Sequence, residues 1–257
     1  MVGDLHGRVA LVTGGDSGIG AACALALAEA GADIGVLYHS DEHGARGTAR
    51  GVEARGRKAV IIQADVGDEA AVERAFGEAA VLGTPDILVN AAGLNMSDVR
   101  VADMDADQWG SVLRTDLTGA FLCSRRFVRG LAGKRPAAIV NITSIHERAV
   151  RAGGADYIAA KAGQGALART LALELADQGV TVNSIAPGMI LTPMNQEAID
   201  DPERRREQES HIPMRRAGRP EEVARAAVLL ASPASAYITG ATITVDGGLS
   251  LVVAPGA

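Results

Sequence analysis

Along the chain, short apolar runs alternate with longer stretches in which apolar residues recur every three or four positions. The runs cover residues 9–13, 33–38, 59–64, 86–90, 138–143, 180–185 and 242–245, are rich in Val and Ile, and predict strands. The stretches cover residues 21–30, 41–55, 68–82, 105–131, 156–177 and 220–230 and predict helices. Helix starts are signalled by Ser40 ahead of the second, Asp105 ahead of the fourth, and Pro220 with Glu221 and Glu222 opening the last. Strand and helix in alternation imply parallel strands joined by right-handed crossovers. Several strands are apolar on both sides, as a sheet covered on both faces requires. The fold class is therefore α/β, a doubly wound seven-stranded parallel sheet with helices on both faces. No repeat, linker or low-complexity tract divides residues 1–257, so one domain is expected. The rhythm breaks only at 188–219, a long connection carrying a charged stretch at 200–209, which reads as a lid over a substrate.

Composition narrows the classes. Of 257 residues, 47% are hydrophobic and 22% charged, which excludes a disordered chain. The net charge of −6 comes with no basic block, so no nucleic-acid partner is expected. No apolar run approaches the roughly 20 residues needed to span a membrane. Nothing at the start of the sequence resembles a signal peptide. Cys23 and Cys123 each sit in an apolar helical pattern and read as buried free thiols, with no metal site. A soluble cytoplasmic protein is expected.

Two motifs carry chemistry. Thr13-Gly14-Gly15-Asp16-Ser17-Gly18-Ile19-Gly20 follows the first strand and opens the first helix. Glycines there let backbone N–H groups approach a pyrophosphate, and the positive end of the helix stabilises it. The second motif is Tyr157-Ile158-Ala159-Ala160-Lys161. A spacing of four on a helix puts both side chains on one face. The chain holds only three tyrosines and three lysines, so chance is a poor explanation of the pair. A phenol is a weak acid–base group at neutral pH, and a neighbouring ammonium favours its phenolate form.

With these motifs the chain resembles the short-chain dehydrogenase/reductase family over essentially its full length, in the branch of glucose dehydrogenases and 3-oxoacyl reductases. Further marks are Asp65-Val66, Asn90-Ala91-Ala92-Gly93, Ser144 thirteen residues before Tyr157, Pro187-Gly188 with Thr192, and Val245-Asp246-Gly247-Gly248. The resemblance implies a Rossmann-type, NAD(P)-dependent oxidoreductase that interconverts an alcohol and a carbonyl. It makes Tyr157 the general acid/base, Lys161 its partner and a holder of the nicotinamide ribose, and Ser144 a hydrogen-bonding group for the reacting oxygen. It assigns the cofactor to Gly14, Asp16, Ser17, Gly18, Ile19, Gly20, Tyr38, His39, Ser40, Asp65, Val66, Asn90, Ala91 and Gly93, and beyond them to Pro187, Gly188, Ile190 and Thr192. A non-catalytic sensor of NADP(H) on the same fold would discard Tyr157 and Lys161, and both are present. The family's catalytic asparagine is replaced by Asp116, which inherits a place beside Lys161.

The end of the second strand reads Tyr38-His39-Ser40, without the acid that binds a free ribose, so NADP(H) is expected, with NAD(H) the alternative. His146 and Asn95 are the candidate substrate residues for a small alcohol or carbonyl compound such as a sugar, polyol or hydroxyketone. A 3-oxoacyl thioester is the alternative, with Arg125, Arg126 and Arg129 as candidate docking charges. The resemblance also implies a homotetramer formed through the helices at 105–131 and 156–177 and the tail at 249–257.

Overall fold

The computed structural model describes residues 3–95, 98–131, 136–195 and 200–252. Seven parallel strands form one sheet: β1 (Val9–Thr13), β2 (Asp33–Tyr38), β3 (Ala59–Gln63), β4 (Ile87–Asn90), β5 (Ala137–Ile142), β6 (Val180–Pro187) and β7 (Thr242–Val245). Their order is β3-β2-β1-β4-β5-β6-β7. The order reverses between β1 and β4, and ligands of such sheets bind in the crevice at that point.

Alternation along each strand builds two cores, one on each face of the sheet. Ala10, Val12, Ile34, Val36, Ile87 and Val89 pack against α1 (Gly18–Glu29) and the C-terminal helix at Pro220–Ala231. Leu11, Leu37, Leu88 and Ile139 face the other way, onto α3 (Glu69–Ala79) and the helices after β4 and β5. Cys23 and Cys123 are buried free thiols, one in each core. Burial raises both, to about 12.

Several helix starts are fixed by aspartates. α2 (Glu42–Glu53) is capped by Asp41 accepting from Gly44 N, one residue later than the start signal at Ser40. Asp68 caps α3, and Asp105 caps α4 (Ala106–Val112). The stretch 105–131, expected as one helix, is three pieces. α4 runs into a π-helical turn at Leu113–Thr118, and α5 (Gly119–Gly130) resumes the regular ladder. A π turn holds an extra residue and pushes side chains out of the usual register. Here it drives Asp116, which is 0% exposed, into the interior.

α6 (Ala155–Leu175) is continuous and packs beside this turn. The 188–219 connection carries α7 (Pro202–Ser210), capped by Asp201, and leads into α8 (Pro220–Ala231). Its ends are tied together at the neck: Leu191 N donates to Gly218 O and Gly218 N to Met189 O. No helix among the described residues is long and apolar enough to cross a membrane.

Candidate active site

The C-terminal ends of β1, β4, β5 and β6 bring the two motifs together. At β1, the loop beginning at Gly14 turns directly into α1. A Cβ on Gly14 would sit 2.9 Å from Ala92 Cα, and one on Gly20 would fall on the Gly14 carbonyl oxygen. Gly14 and Gly18 also have φ of +62° and +53°, conformations that side chains resist. The N-cap of α1, Ser17, makes no capping bond, and no acid lies in its first turn. The first N–H groups of α1 are therefore available to a phosphate. Thr13 Oγ1 accepts from Ala91 N and Ala92 N, both at 3.0 Å, and so locks the turn after β4 against the glycine loop. Thr13 lay within the quoted motif, but its role as an acceptor is set by cross-strand register, which no local pattern reveals.

Asn90, buried, does not reach into the crevice with its amide N–H, which donates to Ser124 Oγ and Asn141 Oδ1. It supports the β4–β5 strand ends. Val66 is buried, and its Cγ2 would lie 2.6 Å from a Cβ on Gly119. Asp65 accepts from Gly67 N at 2.8 Å. At the end of β2, Tyr38 is packed into the core, whereas His39 and Ser40 are exposed. Gly188 follows Pro187 at the end of β6 and donates to Val245 O. Ile190 is buried, and Thr192 comes within 3.3 Å of a Cβ on Gly18, so this segment borders the glycine loop. Open backbone donors, glycines whose Cβ would fill the crevice, and half-buried Asp16, Ser17 and Ile19 around them fit a dinucleotide.

The candidate reacting residues sit on α6 and on the turn that follows β5. Lys161 Nζ lies 5.4 Å from the centre of the Tyr157 ring. It donates to Ile142 O at 3.2 Å and approaches Gln164 Oε1 at 3.5 Å. Asp116 Oδ2 stands 3.1 Å away, while Asp116 Oδ1 accepts from Leu94 N at 2.8 Å. Burial pulls the Lys161 ammonium down, but Asp116 and Tyr157 outweigh it and hold it above the usual lysine range. Gly93 completes the contact, since a Cβ there would lie 2.7 Å from Asp116 Oδ2. Gln164, one turn beyond Lys161, was not anticipated; its only signal was a polar residue on an otherwise apolar helix face.

Ser144 is 6% exposed and caps the short 3₁₀ turn Ile145–Glu147. Its Oγ accepts from His146 N at 3.1 Å, which leaves its hydrogen free to donate. His146 meets Tyr157 edge-on, with ring centres 6.3 Å apart. Its Nδ1 is 2.7 Å from the Ala149 carbonyl, an acceptor only, so Nδ1 carries hydrogen and Nε2 of the neutral ring is an acceptor. Asn95 donates to Met194 O at 3.1 Å and so joins the loop after β4 to the 188–219 connection. Arg125 and Arg126, candidate docking charges, instead pair with Glu69 and Glu73 of α3 at 2.5 Å and 2.6 Å.

Comparison with known proteins identifies the family. Residues 14–250 match the family described as enoyl-(acyl carrier protein) reductase. Over 254 residues the chain is 43% identical to 3β-hydroxysteroid dehydrogenase 1 of Eggerthella lenta, covering 98% of this chain and 97% of that protein. It is 37% identical over 253 residues to glucose 1-dehydrogenase 2 of Bacillus subtilis, covering 98% of each. A solved structure from Agrobacterium tumefaciens, described as a 2-deoxy-D-gluconate 3-dehydrogenase with bound NADP, superposes with a TM-score of 0.89 at 33% identity. It covers 98% of this chain and 99% of that one. The chain belongs to the short-chain dehydrogenase/reductase family and is an NAD(P)-dependent oxidoreductase.

Proposed function

We propose that the chain interconverts a small alcohol and its ketone or aldehyde with NADP(H), using Tyr157 as the general acid/base. The observation that carries this reading is the placement of the buried Lys161 beneath Tyr157, with Asp116, Ile142 O and Gln164 around its ammonium. In reduction, the Tyr157 hydroxyl gives its proton to the carbonyl oxygen; in oxidation it takes the proton back from the alcohol. Ser144 donates a hydrogen bond to the same oxygen and stabilises the charge that develops on it. Lys161 favours the deprotonated phenol and holds the nicotinamide ribose. Nicotinamide, when bound, supplies or accepts the hydride.

His39 and Ser40, exposed beyond β2, offer donors to a 2′-phosphate. The neighbouring Asp41 is turned into its own helix cap. This favours NADP(H) over NAD(H), and the solved neighbour described above carries NADP. The Nε2 acceptor of His146 suits a substrate with a second hydroxyl near the reacting carbon, hence a sugar, polyol or hydroxyketone, with Asn95 at the rim. The 188–219 segment, closed at its neck, serves as the cover of this substrate. A 3-oxoacyl thioester is the second reading, favoured by the family match. Arg125 and Arg126 are engaged with α3, which argues against it. Exposed Trp109, Phe121 and Leu173 on α4, α5 and α6, with Leu251 beyond β7, support a homotetramer. The tail at 253–257 lies outside the described residues. Two buried unpaired thiols suit a reducing cytoplasm.

A panel of sugars, polyols, hydroxyketones, 3-hydroxysteroids and 3-oxoacyl thioesters, read by nicotinamide absorbance with both cofactors, tests the substrate. Tyr157→Phe tests the mechanism: kcat should fall by about 10²–10⁴-fold with cofactor affinity held within a few-fold. A variant that kept a tenth of the wild-type kcat would remove Tyr157 from the role.

A further inference from the structure

The side chain after His146 belongs to neither motif and is buried without being part of a core. Glu147 is only 4% exposed in its side chain, although Arg169 beside it is 51% exposed. Its Oε1 accepts from Thr242 Oγ1 of β7 at 3.3 Å and from the Arg169 guanidinium of α6 at 3.4 Å. Its Oε2 is buried with no hydrogen-bond partner among the described residues. The carboxyl group lies flat against α6 where that helix has Gly165. A Cβ there would stand 2.7 Å from the Glu147 carboxyl carbon and from Oε2, and 3.0 Å from Oε1.

We propose that Glu147 is a positioning residue that locks the Ser144–His146 turn onto the helix carrying Tyr157 and Lys161. Three observations converge. The turn is short and self-contained: Glu147 N donates to Ser144 O, and His146 N to Ser144 Oγ. Moving the Glu147 side chain therefore moves Ser144 and His146 with it. Apart from the neighbouring Arg148, whose guanidinium stands 3.9 Å from Oε1, its contacts lie on α6 and β7, elements separate from the strand that delivers the turn. Gly165 leaves a space that only the absence of a side chain provides, one turn beyond Lys161. For stability alone the group is a poor choice, since a buried carboxylate oxygen with no partner is destabilising where an apolar side chain would not be. Its benefit is geometric: Ser144 must meet the same substrate oxygen as Tyr157, and small misplacements of such groups cost large factors in rate.

This inference rests on the reaction proposed for Ser144 and Tyr157, and the test separates the two. Glu147→Ala, Glu147→Gln and Gly165→Ala are compared with wild type and Tyr157→Phe for kcat, KM, NADPH dissociation constant and melting temperature. Glu147→Ala should lower kcat/KM by at least roughly tenfold with NADPH binding within about twofold. Glu147→Gln keeps an acceptor for Thr242 and Arg169 and should recover most of that loss. Gly165→Ala is the sharper variant. Alanine favours a helix by about 1 kcal/mol, which offsets the cost of the close approach, so the melting temperature should stay near that of the wild type. Yet its Cβ displaces the carboxyl group, so kcat should fall, and in a Glu147→Ala background it should cost nothing further. If Glu147→Ala does not fold, Gly165→Ala and Glu147→Gln still decide the matter. Wild-type turnover in Gly165→Ala, or losses that merely track the melting temperature, overturn the proposal. Should Tyr157→Phe stay active, the reaction itself is misassigned. An inactive Tyr157→Phe beside a fully active Gly165→Ala defeats the anchor alone.

Discussion

Asp116 and Lys161 form a direct ion pair, Oδ2 to Nζ at 3.1 Å, with both side chains almost entirely out of solvent. The π-helical turn at Leu113–Thr118 delivers the carboxylate, and the second oxygen is fixed by Leu94 N. In place of the asparagine that the family resemblance implies, this chain sets a carboxylate against the buried ammonium. The pair joins four segments: the turn before α5, α6, the end of β5 through Ile142 O, and the loop after Gly93.

Gly93 is the tightest neighbour of that pair. A Cβ at this position would stand 2.7 Å from Asp116 Oδ2 and 3.3 Å from Lys161 Nζ, and neither can retreat, because each is bonded elsewhere. Gly93→Ala should therefore destabilise the protein by about 1–3 kcal/mol and reduce kcat. Thermal unfolding and steady-state turnover check this. Wild-type values for both would show that the pair has room to move.

Much of this was legible in the chain. Seven strands appear within two residues of the positions that periodicity implied, because strands covered on both faces leave continuous apolar runs. The glycine loop and Tyr157 with Lys161 were legible because local spacing determines which face they share. Tertiary relationships were not. Nothing in residues 105–131 announces a π turn, since its helix-like spacing continues through it, yet the turn decides where Asp116 points. The Asn90 amide N–H is engaged by Ser124 and Asn141 of neighbouring elements, partners that no local pattern reveals. Tyr38 stands at the end of β2 as expected, with its ring in the core, a distinction only packing can make.

That last point selects the variant for cofactor preference. Placing a carboxylate at Tyr38 would bury a charge, whereas His39 is exposed at the same strand end. His39→Asp should shift preference from NADP(H) toward NAD(H) by about 1–3 kcal/mol, through repulsion of the 2′-phosphate and a gained ribose contact. The ratio of kcat/KM for the two cofactors reads it directly. An unmoved ratio would place the 2′-phosphate elsewhere.

Leu173 is 85% exposed, a large apolar side chain on the outer face of α6. In a homotetramer built through α6 it is covered. Leu173→Glu should then lower the mass in solution and make the melting temperature depend more strongly on protein concentration. Light scattering on both proteins decides the point. A variant of unchanged mass would leave this face outside the assembly.

Asp116 carries the last prediction. Lys161 titrates above its ordinary value because Asp116 and Tyr157 together outweigh burial, which by itself acts in the opposite direction and is the largest single influence. A folded-state value above the unfolded one means that the native protein holds a proton the unfolded chain releases. Its contribution to stability is therefore complete below the ordinary lysine value of about 10.5 and is lost as pH rises through the raised native value. In Asp116→Asn both effects of the carboxylate disappear. Burial then exceeds what Tyr157 supplies, and the native lysine falls below its unfolded value. The sign reverses: Lys161 now opposes folding at neutral pH, and that penalty is relieved as pH rises toward the lysine range. Cys23 and Cys123 also titrate in the alkaline region, but they are common to both proteins and cancel in the difference. The stability difference between wild type and Asp116→Asn should therefore shrink from pH 8 toward pH 11. Asp116→Ala, which strips Leu94 N of its acceptor as well, should lose about 3–5 kcal/mol near neutrality, and Asp116→Asn less, because the amide oxygen still accepts. In catalysis, removing the negative charge leaves a more positive surrounding for the phenol wherever Lys161 remains protonated. The acidic limb of kcat/KM for alcohol oxidation, where the phenol must be deprotonated to take the proton, should then move to lower pH, as a property of the coupled site and not of one residue. Denaturant unfolding across this pH range, with a pH–rate profile for each protein, supplies both readings. A stability difference that stayed constant with pH would show that Asp116 holds the π turn in place without governing the charge of Lys161.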